Sequence, residues 1–163
     1  DLQTFDVTRL TQGDAEYTTP AISPDKTRVV AVRTAQGASD LVTIDVTDPS
    51  YPQTPLTTNS VALTEAHPDF SADGGQIIFE AFGNDRDNHD IYLIPINARG
   101  GEVAIIRTPD DERYPIYSPD GSLISYSRRA LDSYDIFVFE LATSTAYQVS
   151  TDEEDVFGGV WVR

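Results

Sequence analysis

The sequence has no cysteine and no methionine, a single lysine (Lys26) and a single tryptophan (Trp161). Without cysteine there can be no disulfide, no thiolate nucleophile and no Cys-ligated metal. That absence suits a reducing or an oxidising compartment equally. The missing methionine, even at position 1, predicts a processed mature chain or a piece cut from a longer one. No apolar run approaches the ~18 residues that span a bilayer, so membrane insertion is not expected. No stretch of useful length carries a helical apolar period. Basic residues are scarce, 11 Lys and Arg against 27 Asp and Glu, for a formal charge of −16. Such a balance opposes nucleic-acid binding, which needs cations to displace counterions from phosphates. It also opposes adhesion to anionic membranes. An acidic, lysine-poor surface often accompanies salty habitats or export.

What the chain does hold is a repeat. Its 163 residues, 39% of them hydrophobic, suffice for one domain with an apolar core. Three segments spell nearly the same design: "TPAISPDKTRVVAVR" (19–33), "HPDFSADGGQIIFEA" (67–81) and "YPIYSPDGSLISYSRR" (114–129). Pro20, Pro68 and Pro115 recur at spacings of 48 and 47 residues. Ile22, Phe70 and Tyr117 follow two positions later. Next come the turns Ser23-Pro24-Asp25, Ser71-Ala72-Asp73-Gly74 and Ser118-Pro119-Asp120-Gly121. Apolar runs follow each turn, then a third run opening at an Asp ("DLVTI" 40–44, "DIYLI" 90–94, "DIFVF" 135–139). A fourth run closes each copy ("PLT" 55–57, "IIRT" 105–108, "YQVS" 147–150), with "RLT" at 9–11 before the first. Four short strands in a period of about 45 residues are the signature of a β-propeller blade.

The turn chemistry has a physical reason. Ser at the first position bonds back to the chain, Pro pre-sets φ at the second, and Asp suits the third. Gly takes the left-handed position that closes the hairpin. Lys26 stands at that glycine position in the first copy and predicts a slightly strained hairpin. Ser23, Pro24, Asp25, Ser71, Asp73, Gly74, Ser118, Pro119, Asp120 and Gly121 are therefore read as turn residues joining the first and second strands of each blade. The expected fold is all-β, with about three complete four-stranded antiparallel blades (repeats near 12–57, 58–108 and 109–150). Partial end strands are expected at "VTRLT" (7–11) and within 151–163, where "GGVWVR" (158–163) reads as an innermost first strand.

The order Leu-Thr, Pro-x-aromatic-Ser-Pro-Asp-Gly, Ile-x-Phe, Asp-Ile-Tyr resembles the repeat of TolB-type propellers over nearly the whole chain, from Leu10 to about Trp161. The third copy fits best, and the first departs at Lys26 and at Leu41-Val42. That resemblance implies a periplasmic or extracellular setting and the binding of a protein or peptide partner. The same repeat occurs in propellers of prolyl-oligopeptidase-like peptidases. The alternative reading is therefore the gating propeller of a serine peptidase whose catalytic domain lies outside this sequence. Three blades are too few to close a ring. A longer natural chain is the favoured explanation. Pairing of two copies into a six-bladed homodimer is the other, since an open arc would expose apolar blade faces.

Acidic loops lead into each first strand, and in a propeller they recur on one rim. Asp14, Glu65, Asp111, Arg113 and Glu154 are the candidate partner-binding residues there. Such carboxylates are the hard oxygens that calcium takes, in an acidic rim or in the channel. A solvated rim is the plainer reading, and no cofactor is expected. "GNDRDNHD" (83–90) lacks the central Gly and terminal Glu of a calcium loop. Of the two histidines, His67 precedes a repeat proline and His89 sits in a long hairpin. No Gly-x-Ser-x-Gly elbow is present to hold a nucleophile, so the chain is not expected to be an enzyme. Arg33, Arg113, Arg128 and Arg129 are read as offsetting the acidic loops through surface ion pairs.

Overall fold

The computed structural model describes residues 7–57, 63–83, 87–150, 155–159 and 161. Among them twelve strands form three four-stranded antiparallel sheets and no helix. The first sheet holds β1 (Glu16–Ile22), β2 (Arg28–Ala35), β3 (Ala38–Asp45) and β4 (Gln53–Pro55) in sequence order. The second holds β5 (Leu63–Phe70), β6 (Gln76–Gly83), β7 (His89–Pro95) and β8 (Val103–Ile106), and the third β9 (Asp111–Tyr117), β10 (Leu123–Ala130), β11 (Ser133–Glu140) and β12 (Thr145–Gln148). These are three propeller blades. The outer strands begin two residues before the sequence runs that announced them.

The hairpin between the first two strands has the same wiring in every blade. Ser23 Oγ donates to Asp25 Oδ1 at 2.6 Å and accepts from Arg28 N at 2.9 Å. Ser71 with Asp73 and Gln76, and Ser118 with Asp120 and Leu123, repeat both bonds at the same distances. The aspartate also accepts the amide two residues on, from Thr27, Gly75 and Ser122. Bonds to the charged form hold Asp25 and Asp120 down at about 2, the serine hydroxyl contributing most. Lys26 adopts φ 61°, where Gly74 has 70° and Gly121 has 74°, so the lysine carries the strain its position implied.

Between the sheets lies the core. Val30, Val32 and Leu41 of the first sheet pack on Phe70, Ile77, Phe79 and Ile94 of the second. Ile78 and Ile91 on the opposite face of the second sheet pack on Tyr117, Ile124, Tyr126 and Phe139 of the third. The middle blade is thus covered on both faces, which explains why β6 is buried at nearly every position, with Glu80 the one charged group in its apolar run. Each inner strand rides on the preceding blade: β5 touches β1, β2 and β3, and β9 touches β5, β6 and β7.

The ends differ from expectation. Residues 7–12 form no strand, nor do 158, 159 and 161. On the face of the first blade turned away from the second sheet, Ala31, Val42 and Ile44 are at most 3% accessible, while Ile22 is 58% accessible. Residues 155–159 and 161 lie along the third blade, where Gly158 N donates to Ser127 Oγ at 3.0 Å and Trp161 Nε1 donates to Ile116 O at 3.3 Å.

A Cβ added at Gly121 would meet the Ala72 Cβ at 3.2 Å in a left-handed backbone, whereas at Gly74 its nearest neighbour is Pro24 Cδ at 3.7 Å. Gly121→Ala is expected to cost about 2 kcal/mol and Gly74→Ala about 1 kcal/mol, read from urea midpoints.

Candidate functional site

The site begins with a defect in the inner strands. Proline cannot donate to a ladder, so Pro20, Pro68 and Pro115 interrupt β1, β5 and β9. The pairing with the second strand shifts register between Thr18 and Ala21, between Ala66 and Asp69, and opposite Ser125 and Ser127. At each bulge the residue before proline takes a left-handed conformation: Thr19 at φ 45°, His67 at 47° and Tyr114 at 56°. For a β-branched or bulky residue that is an outlier, worth roughly 1–3 kcal/mol of strain, and it needs surrounding support. Gly158, at φ 61°, holds the same place in the partial fourth copy.

Support comes across the blade seam. Tyr114 N donates to Glu80 Oε2 at 2.5 Å, and Gly158 N donates to Ser127 Oγ at 3.0 Å. Glu80 and Ser127 hold equivalent places on their second strands, opposite Ala66 and Arg113. Glu80 is fully buried, accepts from Arg113 Nε and Nη2 at 3.2 Å, and lies 3.2 Å from His67 Nδ1. Burial opposes its charge, but the bonds from His67 and Tyr114 and the Arg113 guanidinium outweigh that and hold its carboxyl below the usual range.

The bulges turn Thr19-Pro20, His67-Pro68, Tyr114-Pro115 and Gly158-Gly159 toward one another around a groove of about 410 Å³. Asp69 and Ile116 complete its wall. This is the mouth of the central channel. On the turn side a second recess of about 440 Å³ is lined by Ile22, Phe70, Tyr117 and Trp161, the repeat position singled out in the sequence. An aromatic arc borders the mouth, with centroid distances of 4.6 Å for His67–Tyr114, 5.9 Å for Tyr114–Phe157 and 4.7 Å for Phe157–Tyr134. Arg113 lies over the Tyr114 ring at 5.2 Å and Arg129 over the Tyr134 ring at 5.8 Å.

The candidate rim residues fall in different settings. Asp14 is exposed in the bend before β1. Asp111 accepts His89 N at 2.7 Å and the Tyr134 hydroxyl, and its Oδ1 lies 2.8 Å from His89 Nδ1. Partial burial opposes its charge, but these bonds hold it below the ordinary carboxylate range. Arg113 is committed to Glu80, and Glu154 lies outside the described residues. Glu65 is not a rim group: it is 5% accessible and packed in the seam between the first two blades. The alternation that makes β5 a strand turns this carboxyl inward, against Ser39 and Thr57. Glu112 repeats the arrangement at the next seam, against the Thr108 hydroxyl. Each stands near the aspartate that opens the third strand of the preceding blade, Asp40 for Glu65 and Asp90 for Glu112. Desolvation foremost, with the neighbouring aspartate adding to it, raises both glutamates to about 7. Among the described residues no group of three or more His, Asp and Glu is placed to hold a metal ion. Of the arginines, Arg128 pairs with Asp110 at 2.5 Å.

No family model matches the sequence, and no curated protein matches it. Solved structures do match in fold. TolB from Acinetobacter baumannii superposes with a TM-score of 0.75 at 18% identity, over 94% of this chain and 38% of that one. A putative TolB from Agrobacterium tumefaciens gives 0.69 at 17% identity, over 85% of this chain and 50% of that one. A prolyl endopeptidase gives 0.62 at 16% identity, over 82% of this chain and 22% of that one. The fold is that of a TolB-like β-propeller, and the chain spans half or less of each of these proteins.

The seam glutamates give the protein a pH dependence. Folding raises them from 4.5 to about 7, so their stabilising contribution is full below pH 4.5 and is lost as pH rises through about 7. Urea stability is expected to fall by a few kcal/mol, on the order of 2 per site, between about pH 5 and pH 8. Glu65→Gln combined with Glu112→Gln should flatten that slope. An unchanged slope would show that these carboxyls are ionised throughout.

Proposed function

We propose that this chain is a non-catalytic propeller scaffold that takes an extended segment of a protein partner at the bulge-lined mouth of its channel, outside the cytoplasm. The observation that supports this reading most is the mouth itself. Backbone strain recurs at Thr19, His67 and Tyr114, held across the seam at Tyr114 by Glu80, and proline rings and aromatic edges face an open groove. Strain of that kind gathers where a surface is pre-organised for a ligand. Rigid rings then lose little entropy on binding. The likeness to TolB structures agrees with a binding role, while nothing in the chain favours the gating reading. The groove lies on inner strands rather than on the acidic loops, so the recognition surface moves inward from the rim.

The test is selection of displayed extended peptides against the protein, followed by affinity measurement on Tyr114→Ser. Peptides taken by the channel should bind this variant at least about tenfold more weakly, the loss expected when a central aromatic is removed. Selected peptides that bind both proteins equally would place recognition elsewhere. Failure to select any peptide would count against a binding scaffold.

A further inference from the structure

The channel mouth also carries a sign of what its ligand contains. Asp69 stands in the groove wall on β5, next to Pro68 and across from Ile116. Its Oδ2 accepts Tyr117 N at 2.9 Å. Burial pushes its carboxyl up, and the only opposing influences are backbone amides of Tyr117 and Phe70. Among the described residues no Lys, Arg or His pairs with it. Arg113 is held by Glu80 and Arg128 by Asp110. A half-buried carboxylate retains acceptor capacity beyond one or two amide bonds, and it costs free energy until a cation arrives.

Resting on the channel-binding reading, we infer that the mouth selects a segment bearing a lysine or arginine, whose cationic head pairs with Asp69 while its stem lies along the proline walls. Three observations converge on this occupant. Among the described residues that line the wall there is no Lys or Arg. The rings of His67 and Tyr114, 4.6 Å apart, line the same groove as Asp69, and Tyr114 accepts a guanidinium over its face, that of Arg113. The chain as a whole carries −16, a field that steers basic segments inward. A bare divalent ion fits less well, since calcium takes about six to eight oxygens and Asp69 is the one carboxylate among the described residues of this wall.

The test compares two short fluorescent peptides of Gly, Ser and Pro, one carrying lysines and the other glutamines in their place, by anisotropy at physiological salt. Asp69→Asn keeps an oxygen for Tyr117 N, so the fold should survive, which an unchanged thermal melt verifies. The lysine peptide is expected to bind at least about tenfold tighter than its counterpart, and Asp69→Asn should abolish most of that preference. Asp132→Asn, an exposed charge on the loop before β11, should change the affinity by less than about twofold. Equal losses in the two variants would mean diffuse attraction by the acidic surface and would overturn the proposal. If both peptides bind equally and both are lost in Tyr114→Ser, the channel site stands and cation selection falls. If neither peptide binds the unaltered protein, both readings fall.

Discussion

Every blade of this protein depends on one interruption: a proline in the innermost strand, preceded by a residue forced left-handed. Pro20, Pro68 and Pro115 cannot complete the ladder, and Thr19, His67 and Tyr114 absorb the mismatch at positive φ. Isolated hairpins would relax such a bulge. At Tyr114 the second strand of the preceding blade supplies an acceptor, Glu80, and Ser127 does the same for Gly158. The bulge is therefore a property of two blades together. Because Glu80 also fixes Arg113 and meets His67, the geometry of the channel mouth and the joining of blades are one arrangement.

The seams combine apolar packing with buried carboxyls, and the two serve different ends. Ile77, Phe79 and their partners bring the sheets together without direction. The carboxyls fix register. Glu65 and Glu112 sit beneath hydroxyls that close the outer strands, and Thr57 and Ser150 also accept the amides of Leu41 and Ile136. A slip by one residue would leave these groups buried without partners, which costs more than the bonds contribute. Glu80 keeps its charge because cations and amides surround it, whereas Glu65 lacks a cation and rises toward neutrality.

The blade architecture was legible because turn residues repeat where turn geometry is strict. Ser-Pro-Asp-Gly spells its hydrogen bonds, and even Lys26 showed its strain in advance. The channel bulges were not legible: Thr19, His67 and Tyr114 share no chemistry, and their common backbone state is imposed from the next sheet. The proline after each was the one available hint, since it disfavours the right-handed helical state of the residue before it. Glu80 was hidden for a related reason, because its equivalents are Val32 and Ser127. Glu65 was misplaced on the rim since carboxylates are usually exposed. Its period-two position in β5, matched by Glu112 three residues before the next proline, was the signal that pointed inward. Asp69 carried no motif at all, and its isolation from cations is visible only in three dimensions.

The central claim is that the left-handed residues Tyr114 and Gly158 are locked by bonds across the seams. Native-state hydrogen exchange of single amides tests it directly. The amides of Tyr114 and Gly158, which donate to Glu80 and Ser127, should exchange slowly, Tyr114 on the scale of core amides such as Ile124. Exchange of both at the rate of a free loop, with Ile124 still protected, would show that the bulges open independently of the blades and would contradict the account.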